Sequence, residues 1–260
     1  MRYIKTILLF IFLSVYFSAL AGVGQQDNDP VFAFSVANES YRNGDFAKAY
    51  DQYKILVDSG RWQSPELYFN LGNAAFKLNR KAEAILNYER AKRLAPSDED
   101  IIYNLELVNS QLQDKIDIIP DFFAVKLLHS VRDIFSEKDW ACITITCFIT
   151  ILLFIWLYLF SNKLYIKKSA FILLVCAAVL FTIAFAAGAG RKYYMEDETG
   201  AIIGAESLTV RSAPDINSTH LFILHEGTRV LINDEVGEWR EIRLSDGTKG
   251  WVQINDLLII

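Results

Sequence analysis

Histidine and cysteine are the side chains best suited to act as bases, nucleophiles or metal ligands, and this sequence contains three of each. The histidines are His129, His220 and His225, and no cysteine lies close to any of them in the sequence. The cysteines all stand inside uncharged apolar runs, without disulfide or metal-ligand spacing, and are interpreted as small hydrophobic residues. They are Cys142, Cys147 and Cys176. No glycine-rich phosphate-binding loop precedes a helical segment. We therefore predict no catalytic residue, no metal and no cofactor, and a protein that is not an enzyme.

The remaining polar residues favour recognition rather than catalysis. Asn38 precedes Arg42 by four residues, and Asn73 precedes Lys77 by the same interval. Residues four apart lie on one face of a helix, and an amide beside a cation suits a peptide carboxylate. With their aromatic neighbours, the predicted partner-binding residues are Asn38, Tyr41, Arg42, Asn73, Phe76 and Lys77. The alternative is that these are ordinary surface residues of a helical repeat.

These two pairs belong to an internal repeat. Over residues 30–98 the sequence matches itself at an offset of 35. The matched pairs include Ala37 with Gly72, Ala49 with Ala84, Tyr53 with Tyr88 and Leu56 with Ala91. A period of this size with small residues at fixed places predicts stacked helical hairpins.

The second copy, residues 65–98, resembles the tetratricopeptide repeat (TPR). The matching positions are Tyr68, Leu71, Gly72, Phe76, Asn79, Ala84, Tyr88, Ala91 and Pro96. In the first copy Gly44, Asp45 and Phe46 restore the usual turn. After Asp98 a helical apolar stripe predicts a capping helix, so the all-α module is expected over residues 30–117. The resemblance implies a curved surface that binds extended peptides or partner helices.

Three apolar segments predict secretion and a membrane anchor. Arg2 and Lys5 precede an uncharged run that ends in Ala19-Leu20-Ala21, which is typical of a signal peptide over residues 1–21. An uncleaved anchor is the alternative. Residues 140–160 and 170–190 are both uncharged, and each is long enough as a helix to cross ~30 Å of hydrocarbon. We predict two transmembrane helices in a hairpin, whose facing stripes of small residues are Cys142, Thr146 and Thr150 on the first and Ala178, Thr182, Ala186 and Gly190 on the second. The alternative is chance enrichment of small residues.

The charges around this hairpin predict its orientation. The loop at residues 161–169 carries Lys163, Lys167 and Lys168 and no acid, which favours the cytoplasm. With the signal peptide, this predicts a multi-pass protein of a bacterial inner membrane, with both soluble modules in the periplasm. Arg191 and Lys192 oppose this orientation, because they follow the second span on the outer side.

The juxtamembrane stretch, residues 118–139, is predicted to be amphipathic. Asp121 is a candidate N-cap for a helix over residues 122–135, with Phe123, Leu127 and Val131 on one stripe. Such a helix either lies in the membrane interface or packs on the capping helix.

From residue 200 onward, short apolar runs alternate with turn residues, which predicts a small all-β barrel. The predicted strands are Leu208–Arg211, Leu221–Leu224, Arg229–Ile232, Trp239–Leu244 and Lys249–Val252. The segment resembles the bacterial SH3-like domain through residues 208–214, 226–228, 246–247 and 250–252. Trp239 and Trp251 are predicted to lie in the core. The resemblance implies binding to cell-wall peptides or to proteins.

Charge limits the partners of both modules. Residues 22–139 carry 14 Lys and Arg against 19 Asp and Glu, and residues 196–260 carry 5 against 12. Two anionic modules make nucleic acid an unsuitable partner.

The order of these segments, with Asn104-Leu105-Glu106 and the link at residues 119–123, resembles the BatE proteins of the Bat (Bacteroides aerotolerance) operons. The resemblance implies an accessory membrane protein that works beside a MoxR-type ATPase and von Willebrand factor A proteins, with a link to oxygen and stress tolerance. Two functions remain open. In one, the repeats dock another Bat-type protein. In the other, the SH3-like domain binds peptidoglycan and the protein senses or organises the wall.

Overall fold

The computed structural model describes residues 28–60, 62–116, 122–197 and 199–260. Within these ranges the chain is all helical up to residue 197 and then forms a β-sheet. The architecture is therefore a helical repeat module (residues 28–116), a membrane hairpin and a C-terminal β module (residues 200–260). The predicted signal peptide at residues 1–21 and the predicted N-cap Asp121 lie outside the described residues.

The repeat module consists of two antiparallel helical hairpins and a further helix. Its helices are α1 (Asn28–Arg42), α2 (Phe46–Asp58), α3 (Pro65–Lys77), α4 (Lys81–Leu94) and α5 (Glu99–Asn109). The turns of the two hairpins are equivalent, since Gly44 and Asn79 both adopt a positive φ, of 84° and 60°. Glycine and asparagine are the residues that accept this left-handed conformation at least cost.

Local sequence accounts for where the helices begin. The Ser64 hydroxyl accepts a hydrogen bond from the Leu67 N–H at 3.1 Å, and Pro65 occupies the first turn of α3. Asp98 caps α5 in the same way through the N–H groups of Asp100 and Ile101. Both are standard N-cap residues, which satisfy N–H groups that have no partner within the helix.

Close contact between α3 and α4 depends on Gly72. A Cβ at this position would lie 2.8 Å from the Tyr88 ring and 3.3 Å from the Ala84 carbonyl oxygen. Tyr88 is buried, and its ring packs on Phe69 with centroids 5.8 Å apart. The two helices of the repeat therefore cross at a distance that only glycine permits.

The membrane hairpin follows a short helix, α6 (Phe123–Arg132). Its two helices are α7 (Glu137–Phe160) and α8 (Leu164–Asp197), and both are long and apolar enough to cross a membrane. Ser136 and Asp139 form a reciprocal capping box at the start of α7. The connection is residues 161–163, shorter than the predicted loop at 161–169, because α8 begins at Leu164 and carries Lys167 and Lys168.

The predicted small-residue contact between α7 and α8 is wrong. Five of the predicted residues are exposed and two, Thr150 and Gly190, are partly buried. The exposed ones are Cys142, Thr146, Ala178, Thr182 and Ala186. The buried residues of α8 include Ala170, Ala177 and Ala184, which are seven apart. A seven-residue spacing keeps side chains facing an antiparallel neighbour, whereas each step of four residues turns about 40° around the helix.

The β module is a seven-stranded antiparallel sheet in the order β3-β2-β6-β5-β4-β1-β7. Its strands are β1 (Gly200–Ile203), β2 (Ser207–Arg211), β3 (His220–His225), β4 (Arg229–Val236), β5 (Trp239–Arg243), β6 (Lys249–Gln253) and β7 (Leu257–Ile259). Strands β1 and β7 were not among the predicted strands. Strand β1 is buried at every position, so it lacks the polar alternation of a strand with one wet face.

The prediction that Trp239 and Trp251 form the core of the β module is wrong. Both are only half-buried, on the face opposite the buried Ile242 and Val252. The inner face has no room for indole rings at this point, since even a Cβ on Gly250 would lie 2.3 Å from Val210 Cγ1.

We expect Gly72→Ala to lower the free energy of unfolding of the repeat module by about 1–3 kcal/mol, because the new methyl group displaces the packed Tyr88 ring. Thermal unfolding of the purified full chain in detergent measures this loss. Glu39→Ala, at an exposed site on α1, is the control and should leave the midpoint unchanged. Equal midpoints for both variants would show that α3 and α4 do not need the close crossing.

Candidate partner-binding groove and its support

The structure places the six predicted partner-binding residues on α1 and α3, the first helix of each hairpin. Asn38 is held in one orientation. Its Oδ1 accepts hydrogen bonds from the Tyr53 hydroxyl at 2.6 Å and from Asn70 Nδ2 at 3.0 Å. Tyr53 lies on the partner helix α2 and Asn70 on the next repeat, so one amide oxygen joins three helices.

Asn73 repeats this arrangement in the second hairpin. Its Oδ1 accepts a hydrogen bond from the Tyr88 hydroxyl at 2.7 Å. Burial raises the pKa of Tyr53 to about 12 and also raises the pKa of Tyr88, so both hydroxyls stay protonated donors at neutral pH. Within the described residues neither Asn38 nor Asn73 has an acceptor for its Nδ2. The tyrosines therefore orient two amide donors, one per repeat.

The aromatic and basic members of the set connect the two repeats. The Tyr41 ring packs edge-on against Phe46 with centroids 5.2 Å apart, and Lys77 Nζ lies 5.9 Å from the centre of the same Phe46 ring. Phe76 packs against the repeat core, whereas Arg42 and Lys77 are exposed. The structure thus brings Tyr41 and Lys77 to one aromatic ring and leaves both cations accessible. Their role in binding stays a prediction.

The β module docks on the repeat module away from the candidate residues of α1 and α3. One docking contact is made by Asp114, an acidic residue that follows α5. The Asp114 carboxylate accepts hydrogen bonds from the His225 backbone N–H and the Thr228 hydroxyl, at 2.7 and 2.8 Å. Its Oδ1 lies 2.7 Å from His225 Nδ1. An ionised carboxylate only accepts, so Nδ1 is the donor in this pair.

These contacts change the acidity of Asp114. Partial burial of the carboxyl group acts to raise its pKa, but hydrogen bonds from the His225 backbone, the His225 ring and Thr228 outweigh burial. The pKa of Asp114 is consequently below its usual value. The ionised form is the one that holds the β module.

The neighbouring turn of the β module caps a helix of the repeats. Glu226 Oε1 accepts a hydrogen bond from the Ala82 N–H, in the first turn of α4, at 3.1 Å. Arg80, the residue before α4, makes no side-chain capping bond. Gly227 follows with φ of 90°, and a Cβ there would lie 2.6 Å from Leu112. Only glycine lets this turn approach the repeats so closely.

The two modules also share apolar packing. Ile202, Leu258 and Ile260 of the β module pack in the repeat core, and Ile116 packs in the β core. At the same contact Arg90 and Arg93 donate to the carbonyl oxygens of the last strand and its following residue. Arg90 Nη2 lies 2.7 Å from the Ile259 oxygen, and Arg93 Nη1 lies 3.1 Å from the Ile260 oxygen. The two modules therefore form one continuous body.

Arg191, near the end of α8, connects this body to the membrane hairpin. It is only 2% exposed. Its Nη2 donates to the Arg93 and Lys92 carbonyl oxygens at 2.6 and 3.5 Å, in the last turn of α4. Its Nη1 lies 2.9 Å from Asp133 Oδ1. Because its charge is used in these contacts, Arg191 is not a guide to the orientation of the hairpin.

Sequence reasoning missed Asp114, Glu226 and Arg191. Glu226 and Gly227 were assigned to a turn within the β module, and Arg191 only to membrane topology. The partner of Asp114 lies 111 residues away in the chain, that of Glu226 144 residues away, and those of Arg191 on α4 about 100 residues away. No local pattern signals contacts of that range.

The comparisons with known proteins indicate no enzymatic family. Across residues 28–60, 62–116, 122–197 and 199–260, no group of three or more His, Cys, Asp or Glu side chains is arranged to hold a metal ion. The family model of the tetratricopeptide repeat matches residues 65–98, and that of the bacterial SH3 domain matches residues 206–258. Both families are typically binding or scaffold domains.

One curated relative has partial similarity. The BBSome complex member BBS4 from Bos taurus is 33% identical over 110 residues, which cover 41% of this chain and 21% of that protein. The chain thus spans about a fifth of this relative. Together the matches and the structure show a chain that combines TPR-like helices, two membrane-length helices and an SH3-like β module, and these domain types suggest a protein-interaction scaffold.

We expect docking of the β module to weaken as the pH falls below about 4, the usual range of an aspartate. The folded-state pKa of Asp114 is lowered, so its contribution is complete above the unfolded-state value and is lost as pH falls through the folded-state value. At pH 7 Asp114→Asn should reduce the docking free energy by about 1–3 kcal/mol, because it removes an ionised acceptor of several hydrogen bonds.

Amide hydrogen exchange at residues 225–229, measured from pH 7 to pH 3, tests this expectation. Glu106→Gln, which alters an exposed carboxylate on α5, is the matched control. Unchanged protection of residues 225–229 in Asp114→Asn would show that this carboxylate does not hold the module.

Proposed function

We propose that this protein is a membrane-anchored scaffold, and that the surface of α1 and α3, called the groove below, holds an extended segment of another envelope protein. The observation that carries the proposal is the pair of oriented amide donors, Asn38 and Asn73, beside the exposed cations Arg42 and Lys77. Amide and cationic donors repeated along a surface suit the carbonyl oxygens and carboxylates of a peptide.

The placement of the other modules supports this proposal. The docking contacts of the β module come from α4 and from residues 112–116, whereas the candidate residues stand on α1 and α3. The β module and the hairpin therefore support the repeats without using the candidate residues. Similarity to a member of a protein complex agrees with a scaffold role.

The resemblance to BatE proteins suggests the setting. In that setting the chain belongs to a Bat-type complex with a MoxR-type ATPase and membrane proteins that carry von Willebrand factor A domains. Such a complex is linked to aerotolerance or stress resistance. The groove would then hold a segment of one of these membrane proteins.

Orientation in a bacterial inner membrane is part of the same proposal. Lys163, Lys167 and Lys168 lie at the tip of the hairpin, and both soluble modules lie at its other end. The positive-inside rule favours a cytoplasmic tip, and the signal-like N-terminal segment favours export of residues 28–116. The repeat and β modules would then face the periplasm.

We expect the double variant Arg42→Glu and Lys77→Glu to lose most of a groove-bound partner, because both positive charges that face the peptide become negative. The measurement is affinity purification of the intact protein from membranes, followed by quantitative mass spectrometry. Because two charges are reversed, we expect the amount of recovered partner to fall about tenfold or more.

The control reverses two exposed lysines of α2 outside the groove, Lys48→Glu and Lys54→Glu, and produces the same change of net charge. Recovery of Bat-type proteins by the control but not by the groove variant supports the proposal. Equal recovery by both variants would exclude the groove as the binding site.

The second candidate function is binding of peptidoglycan by the β module. Trp239 and Trp251 favour it, since they stand on the outer face of the sheet instead of in the core. Partly exposed aromatic rings are suitable surfaces for ligands. Because Ile202, Leu258 and Ile260 pack in the repeat core, the β module should be tested within the full chain.

Sedimentation of the detergent-solubilised full chain with purified sacculi separates the two functions. Retention that is lost in Trp251→Ala would favour the cell wall. Absence of the chain from the pellet would favour the protein complex.

A further inference from the structure

Helix α6 exposes an apolar surface of unusual size for a ten-residue helix. Phe123 is 77% exposed, Leu127 53% and Leu128 68%. Phe122, Val125, Ile134 and Phe135 around them are also exposed. Side chains this open are not covered by α5 or by any other described part of the chain. Contiguous apolar surface on a folded protein marks a binding surface for a membrane or another protein.

The exposed residues are arranged in an amphipathic pattern. At 100° per residue, Phe123, Leu127, Val131 and Leu128 share one side of the helix. Lys126 and His129 lie on the opposite side, whereas Ser130 lies about 20° from Phe123 around the helix. Residues 123–132 contain no acid, so nothing on the helix repels the phosphates of lipid headgroups. A basic amphipathic helix with aromatic residues on its apolar face is typical of helices that lie in the membrane interface.

The position of α6 identifies the membrane as the partner. Only four residues separate Arg132, at its end, from Glu137, at the start of α7. The two helices are also in direct contact. Trp140 Nε1 donates to the Arg132 carbonyl oxygen at 3.0 Å, and the Phe135 and Trp140 rings pack edge-on with centroids 5.2 Å apart. Tryptophan at the end of a membrane helix is typical of the headgroup level. The apolar surface of α6 is thus continuous with that of the membrane hairpin.

We infer that α6 lies in the interface of the bilayer, with Phe123, Leu127 and Leu128 inserted among the lipids. The partner of this surface is the lipid bilayer itself. The inference is independent of the proposed groove function, because it concerns a different helix and needs no protein partner.

The ion pairs that follow α6 connect this helix to the soluble body. Asp133 pairs with Arg132 at 2.9 Å and with Arg191 at 2.9 Å. Arg191 in turn holds the last turn of α4 through the Arg93 carbonyl oxygen. The soluble body is therefore fixed to the membrane by three helices, α6, α7 and α8, instead of by the hairpin alone. This fixes its height above the bilayer.

Fluorescence quenching in vesicles tests the insertion. The three native cysteines are replaced by serine in the full chain, and one cysteine is introduced for an environment-sensitive NBD label. Leu127→Cys and Leu128→Cys report on the apolar side, and His129→Cys is the control on the polar side of the same helix. The vesicles contain phosphatidylethanolamine and phosphatidylglycerol, with a nitroxide on the lipid chain close to the headgroup.

The nitroxide lipid should quench the label at 127 and 128 at least about twofold more strongly than at 129, whereas aqueous iodide should quench 129 more strongly. Similar iodide quenching at all three positions would overturn the inference, since α6 would then face water. Protection of 127 and 128 from both quenchers would overturn it too, since a second copy or another protein would then cover the surface. Phe123→Cys repeats the measurement on the same side at an exposed position, should a leucine variant fail to fold.

Discussion

Helix α4 is the element on which the rest of the structure depends, because each of its ends is completed by a distant part of the chain. Its first turn is capped by Glu226 of the β module, and its last carbonyl groups are capped by Arg191 of the membrane hairpin. The ends of a helix carry unsatisfied N–H and C=O groups with opposite partial charges. The carboxylate of Glu226 complements the partial positive charge at the N-terminus of α4, and the guanidinium of Arg191 complements the partial negative charge at its C-terminus. Two capping contacts thus join repeats, β module and membrane anchor, and burial of Arg191 makes its pairing with Asp133 costly to break.

The groove depends on the same helical packing but lies apart from these contacts. Tyr53 and Tyr88 fix the amides of Asn38 and Asn73 before any ligand arrives. Asn70 bridges the two repeats through the same oxygen of Asn38. Donors that are oriented in advance lose little conformational entropy on binding, which favours affinity for a short peptide. The contacts to the membrane hairpin and the proposed binding surface therefore lie on different helices of one small helical module.

The sequence was sufficient for features that repeat or alternate locally. The 35-residue offset paired Tyr53 with Tyr88 and predicted two hairpins, and alternating strands such as β2 were found where one face is exposed to solvent.

The sequence was insufficient where a segment is covered on both sides. Strand β1 contacts the repeat core through Ile202 and the β core through Ile203, so its residues show no period. The sequence-based prediction also placed Trp239 and Trp251 in the core, because aromatic residues are usually buried. The inner face of the sheet has no space for them where Gly250 packs against Val210. The prediction for the contact between α7 and α8 was wrong because it assumed small residues four apart, whereas the buried alanines of α8 are seven apart. The candidate groove residues were found from sequence, but the hydrogen bonds that orient them depend on tertiary structure.

The shared core between the repeat and β modules has a consequence for biosynthesis. Glu226 is translated 144 residues after Ala82, and two membrane-length helices must be synthesised between them. Chains grow at about 5–20 residues per second, so the repeats wait roughly 7–30 seconds with Ile85 and Leu112 uncovered. The soluble body becomes complete only when both spans have been made and the β module has reached the same side as the repeats. A chain whose hairpin inserts incorrectly keeps an open apolar surface, and so remains distinguishable from a mature scaffold by chaperones and proteases.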